Sequence, residues 1–141
     1  MTTLRHLAHA VGSTGSDVPA YQVDVGVGAH RIVADEPAVV GGGNVGPSPV
    51  DLLASALTAC TATTLRMYAE RHGWELTSIV VDVRYDMDND RRRTMTRRIT
   101  VPAGLTGEQL GALTSIAERT PVTLAIRAAT PISTTFARED D

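Results

Sequence analysis

Cys60, the only cysteine in the chain, is the only candidate nucleophile. A cysteine attacks as its thiolate, so the chemistry depends on what stands beside the sulfur. Cys60 lies about three turns inside a long apolar run, and a helix dipole fades within its first turn. Activation must therefore come from a neighbouring cation or acceptor. The competing account is that Cys60 is a small hydrophobe packed in a core, as lone cysteines often are. Asp51 is the nearest acid on the same run. Nine residues at about 100° each carry it to the opposite helix face, roughly 13 Å away along the axis. Asp51 either orients an arginine that reaches the sulfur or serves only as a helix cap. His6, His9, His30 and His72 show no metal-ligand spacing with a carboxylate or Cys60, and no metal site is expected. No serine sits in a GxSxG elbow, and no paired carboxylates share an apolar face. Gly41-Gly42-Gly43-Asn44 lacks the spacing and the lysine of a phosphate loop, which excludes a nucleotide site of that kind.

The element that must carry Cys60 runs from Gly46 to His72, uncharged between Asp51 and Arg66 and free of Gly and Pro after Pro49 until Gly73. Such a run predicts a helix buried nearly all round, roughly 35 Å long. Ser48 is the expected N-cap, Pro49 the first helical residue, and Asp51 the acid that reaches back to the cap amide. Gly73 is the expected stop. The small residues along it allow close approach on several sides.

Around this helix the chain reads as short strands. Residues 1–12 form a weak strand, followed by a turn cluster over Gly12–Asp17. Tyr21, Val23, Val25 and Val27 alternate with polar or small residues, and His30 to Ala34 returns, giving a hairpin over residues 20–35. Asp35-Glu36-Pro37 ends it, and the glycines after it form a flexible approach to the helix. After the helix, Leu76 to about Met87 is a strand, Asp88-Asn89-Asp90 a charged turn, and Thr94 to Val101 the partner strand. That partner has Met95, Arg97, Ile99 and Val101 on one parity. The run Arg91-Arg92-Arg93 stands beside Asp86, Asp88 and Asp90, so cross-strand pairing on a solvated hairpin explains it without nucleic acid. Thr106 to Gln109 is a second capping box, opening an amphipathic helix with Leu110, Leu113, Ile116 and Ala117 on one face. The helix ends before Pro121. Val122 to Ala128 is either a third helical turn or a strand. Ile132, Thr134 and Phe136 alternate as a final strand, and Arg138 to Asp141 is a solvated tail. Mostly hairpin-connected strands with two helices imply an α+β fold.

At 141 residues the chain is expected to be a single domain over 1–141. A net charge of −3 gives no electrostatic reason to expect nucleic acid. All 13 basic residues are arginine. A single cysteine rules out an internal disulfide framework and a CxxC metal site. The first residues lack the form of a signal peptide, and the apolar part of the central helix, about 14 residues, is too short to cross a bilayer. A soluble, cytoplasmic protein without a membrane partner is expected.

Four stretches together resemble a known family. They are HRIVADEP, then GG-x-x-x-GPSPVDLLASALTACTATTLRMYAERHGW, then IVVDVRYD, then LTGEQLGALTSIAERTPV. The chain resembles the OsmC/Ohr family of osmotically induced and organic hydroperoxide resistance proteins, closest to its OsmC-like branch. The resemblance implies a tightly intertwined homodimer, with a curved antiparallel sheet wrapped around a long central helix and sites at the subunit interface. It implies a thiol peroxidase that reduces hydroperoxides, preferring organic ones, without a cofactor. Cys60 falls at the peroxidatic position and would pass through a sulfenic acid. Asp51 falls where OsmC-like members carry a Glu, as a supporting acid. The family's second, resolving cysteine precedes Pro-Val; here Thr120 holds that place in Arg119-Thr120-Pro121-Val122, so an intramolecular disulfide cannot form. The arginine that Ohr-type members bring from the early hairpin has no counterpart between Gly12 and His30. Two readings follow. In one, the chain is a one-cysteine peroxidase whose sulfenic acid is resolved by an external thiol. In the other, it is a non-catalytic member that binds a small hydrophobic ligand at the dimer interface, and Cys60 is structural.

Overall fold

The computed structural model describes residues 2–139. The chain forms two compact units that divide after Ser55. In the first, β1 (Ala10–Ser13), β2 (Val23–Val27) and β3 (His30–Ala34) make an antiparallel sheet in that order. The expected hairpin is present: Val27 faces His30 across a two-residue turn, and Gly28 takes φ +57°, as a tight hairpin turn demands. The first strand differs from expectation. Residues 2–9 carry no regular structure, while β1 takes in Gly12 and Ser13, which read as turn, because they pair with Val25 and Asp24.

The glycine-rich approach to the helix is also different: it is a tight loop wound on Asp35. That side chain is 1% exposed, and its carboxylate accepts from the amides of Glu36 (2.8 Å), Gly43 (3.1 Å) and Val45 (3.2 Å). The Asp35 amide donates to the Pro47 carbonyl at 3.1 Å. Two glycines are required by this winding. A Cβ on Gly42 would lie 1.9 Å from the Glu36 carbonyl oxygen, and one on Gly46 would lie 2.0 Å from that of Val33.

The long helix α1 (Pro49–Arg71) begins in the first unit and continues into the second. The Asp51 amide donates to Ser48 Oγ at 3.1 Å, and the Asp51 carboxylate accepts from the Ser48 amide at 3.0 Å, the reciprocal pair read from the sequence. At the far end Gly73 takes φ +67°, with its amide on Glu70 and the Trp74 amide on Ala69, which closes the last carbonyls. The burial of α1 corrects the expectation of a helix enclosed nearly all round. Only Leu57, Thr61, Leu65 and Ala69, spaced four apart, are buried. One chain supplies cover for one stripe, and the rest of the circumference is open or half-open.

In the second unit β4 (Val80–Met87) pairs with β5 (Arg93–Thr100), shorter at its start than the strand expected from Leu76. Leu76 is buried all the same, in a cluster with Leu65, Ala69, Leu113 and Ala117. Asp88 Oδ1 holds the connecting turn through the amides of Asp90 and Arg92, each at 2.9 Å. The second capping box is formed: Thr106 Oγ1 accepts from the Gln109 amide and the Gln109 side chain accepts from the Thr106 amide, opening α2 (Gly107–Ala117). The segment left open between helix and strand is a helix, α3 (Pro121–Arg127).

The final strand expected at Ile132, Thr134 and Phe136 is absent. Residues 128–138 have no regular structure, and Ile132 and Phe136 are 90% and 96% exposed. Alternation alone does not make a strand when no ladder partner is at hand. Of the expected tail, Asp140 and Asp141 lie outside the described residues. The architecture is therefore α+β, with antiparallel sheets and one long helix. No helix among the described residues is long and apolar enough to cross a membrane.

Candidate functional site

Cys60 is a free thiol on the second-unit part of α1 and is half-buried. Its Sγ faces Thr64 Oγ1, one turn further on, at 3.9 Å. Ala59, Thr63 and Met67 beside it are exposed, Met67 by 48%. The thiol thus lies at the edge of the uncovered face of the helix, not in the buried stripe.

The next residue, Thr61, points about 100° away and is fully buried. Its hydroxyl donates to the Leu57 carbonyl at 2.6 Å and accepts from Arg97 Nη1 at 2.9 Å. Arg97 is the residue that sequence reasoning missed. Its side chain is 11% exposed. It also donates through Nη1 to Thr123 Oγ1 at 2.9 Å and through Nη2 to the Ala117 carbonyl at 2.8 Å. One guanidinium therefore ties α1, β5, the end of α2 and the start of α3. The signal was visible: Arg97 shares its strand parity with Met95 and Ile99, which face inward, whereas Arg91, Arg92, Arg93 and Arg98 are exposed. Asp82 stands opposite Arg98 in the register, on the solvent face expected for the arginine-rich hairpin.

Thr120 is fully buried and caps α3. Its hydroxyl accepts from the Thr123 amide at 3.2 Å and pairs with Thr123 Oγ1 at 2.7 Å. Cys60 and Thr120 are thus each adjacent to a hydroxyl that Arg97 holds: Thr61 follows Cys60 in sequence, and Thr123 bonds to Thr120. Asp51 is engaged elsewhere. The Ser48 hydroxyl at 2.8 Å, and then the Ser48 amide, hold its carboxyl below the ordinary aspartate range.

Beside Arg97 is a cavity of about 310 Å³. Leu57, Met95 and Ile126 are its apolar lining, and Arg97, Glu118, Thr123 and Arg127 its polar lining. Glu118 Oε2 takes a short charge-assisted hydrogen bond from Arg127, while its Oε1 is 3.8 Å from Arg97 Nη2. The Arg127 hydrogen bond and charge, with a smaller pull from Arg97, hold the Glu118 carboxyl below its ordinary range. Among the described residues no group of three His, Cys, Asp or Glu is placed to hold a metal ion.

Comparison with solved structures places this arrangement in a known fold. A Psychrobacter arcticus protein named for osmotic stress induction and detoxification superposes with a TM-score of 0.72 at 20% identity, over 88% of this chain and 91% of that one. The organic hydroperoxide resistance protein OsmC of Legionella pneumophila gives 0.63 at 20% identity, over 89% and 92%. OhrB of Bacillus subtilis, an organic hydroperoxide resistance protein, gives 0.57 at 22% identity, over 86% and 91%. No curated protein matches the chain. Residues 41–135, which span the glycine loop, Cys60, Arg97 and Thr120, match the family model described as OsmC-like protein. This match covers more than half of the sequence, and with the shared fold it makes the chain a member of the OsmC family.

Proposed function

We propose that this OsmC-family chain is a one-cysteine thiol peroxidase that reduces organic hydroperoxides. It would act as a cytoplasmic homodimer of a single OsmC-like domain, with an external thiol as reductant. The observation that carries this reading is the position of Cys60, half-buried with its Sγ against one hydroxyl and flanked by exposed Ala59, Thr63 and Met67. An oxidant can reach such a sulfur. The Cys60 thiolate attacks the terminal peroxide oxygen, the O–O bond breaks, and the alkoxide leaves and takes a proton as an alcohol. Cys60 is then a sulfenic acid. A first external thiol condenses with it, releasing water and forming a mixed disulfide. A second external thiol frees Cys60 and departs as the external disulfide. The balance is one hydroperoxide and two thiols in; one alcohol, one water and one disulfide out. Thr120 carries no sulfur, so resolution is intermolecular. The uncovered face of α1 and the bare apolar side chains at both ends of the chain support assembly as a dimer. Asp51, through its cap on Ser48, would fix the start of the helix that carries the thiol.

A second reading has one observation in its favour. The hydrogen bonds of the buried guanidinium of Arg97 go to oxygens and not to the sulfur, and Thr120 is committed to capping α3. On that reading the chain is a non-catalytic member that binds a small hydrophobic ligand at the dimer interface, with Cys60 as packing.

One experiment separates the two. Intact mass after one equivalent of cumene hydroperoxide should show a single added oxygen on Cys60, captured by a sulfenic-acid reagent. Cys60→Ser should lose peroxide turnover while sedimenting as a dimer. Oxidation confined to methionine, with Cys60 untouched, removes the peroxidase reading.

A further inference from the structure

The cavity beside Arg97 has a charge imbalance that the thiol chemistry does not use. Arg97 is 11% exposed, yet all three of its short hydrogen bonds go to neutral acceptors: the hydroxyls of Thr61 and Thr123 and the carbonyl of Ala117. Its carboxylate neighbour, Glu118, is 3.8 Å away, is half-exposed, and is bonded more closely by Arg127. Two guanidiniums therefore meet one carboxylate in the polar lining of the cavity, a formal excess of one positive charge. A buried cation without a matched anion is a standing penalty unless a ligand relieves it. The same cavity is also lined by the apolar side chains of Leu57, Met95 and Ile126.

The geometry points to this cavity as a binding site for a small amphipathic monocarboxylate, its head between Arg97 and Arg127 and its tail along Leu57, Met95 and Ile126. Planar guanidiniums suit a carboxylate, since paired N–H donors match its two oxygens. Glu118 already holds part of that place, as an internal carboxylate that an incoming one joins or displaces. Size agrees. A cavity of about 310 Å³ falls at the small end of the range for small-molecule sites, which suits a small monocarboxylate such as octanoate. A phosphate alone would leave the apolar lining unused. The site lies within one compact unit of one chain and does not depend on the chemistry of Cys60.

The test is calorimetric titration of the full chain with octanoate, with 1-octanol as the uncharged partner of equal tail. Octanoate is expected to bind at least tenfold more tightly than octanol. Arg127→Gln, at a half-exposed guanidinium, should weaken octanoate about tenfold through loss of a charge-assisted contact and leave octanol unchanged. Glu118→Gln should tighten octanoate several-fold, because the internal competitor is gone. Arg97→Met should abolish the preference for octanoate over octanol. Melting curves of each variant without ligand establish that it is folded. Equal binding of octanol and octanoate would make this an apolar cavity only. Weaker octanoate binding in Glu118→Gln, or none by wild type at millimolar concentration, would also overturn the assignment.

Discussion

Arg97 lets the energetics of this fold be tested through a single pair of variants. Arg97→Met removes a nearly buried guanidinium and keeps an unbranched stem of similar length. Three donations are lost, at 2.9, 2.9 and 2.8 Å. Each is charge-assisted and contributes about 1.5–3 kcal/mol net. Against that, the variant no longer desolvates a cation, which relieves several kcal/mol. The acceptors are not stranded. Thr61 Oγ1 still donates to the Leu57 carbonyl at 2.6 Å, and Thr123 Oγ1 still meets the Ala117 carbonyl at 3.3 Å and Thr120 Oγ1 at 2.7 Å. The opposing effects nearly cancel, so Arg97→Met is expected to cost only about 1–2 kcal/mol. Arg97→Ala has the same electrostatic balance and also loses two methylenes and leaves a void, about 2–3 kcal/mol more. Its expected cost is therefore about 3–5 kcal/mol. Urea unfolding of the three proteins measures both, with the midpoint shift at unchanged slope as the readout. If Arg97→Met costs as much as Arg97→Ala, the guanidinium itself stabilises the fold and the reasoning about a poorly compensated buried charge is wrong.

The remaining expectations concern other parts of the chain. Asp35→Ala leaves the amides of Glu36, Gly43 and Val45 without their acceptor. It should cost about 3 kcal/mol or more, with amide hydrogen exchange at Gly43 and Val45 sharply accelerated. Gly46→Ala would force a Cβ to 2.0 Å from the Val33 carbonyl oxygen, whereas a Cβ at Gly104 meets nothing within 4 Å. Melting should therefore show a loss of about 3 kcal/mol or more at position 46 and little change at 104. Glu118 has a folded-state pKa below its unfolded value of about 4.5, so its contribution is fully present above that pH and fades as the pH falls through the lower folded value. The stability difference between wild type and Glu118→Gln should then shrink on acidification below 4.5. Its size should stay within ~1 kcal/mol, as fits a half-exposed pair.

The parts of the fold that were legible in the sequence are those whose causes are local. Ser48 with Asp51, and Thr106 with Gln109, are reciprocal caps separated by three residues, and both are formed as read. Gly73 was placed correctly because a helix stop calls for a positive φ. The misreadings arose where the partner is remote. Asp35 looked like the end of a strand because the amides it gathers lie eight and ten residues ahead and carry no side-chain signature. The alternation of Ile132, Thr134 and Phe136 is real, but a strand is a property of two segments, and no second segment pairs with this one. Arg97 was read on one parity with Met95, Ile99 and Val101, which is the inner face, but the oxygens it gathers lie on other elements and carry no signal in the sequence. For the candidate site, the position of Cys60 on the helix was readable from spacing. The commitment of Thr61 and Thr123 to Arg97 was not, because it joins residues 36 and 26 apart in sequence.

The bare termini bear on the life of the protein in a cell. Leu4, Leu7, Ile132 and Phe136 stand in irregular backbone, each at least 85% exposed. Extended chain with protruding aliphatic and aromatic groups is what proteases cleave and chaperones grip. A chain whose ends stay uncovered invites removal, and in the dimer proposed above a second copy docked on them would conceal them. Abundance would then be set by encounter between copies as much as by the intrinsic strength of the fold.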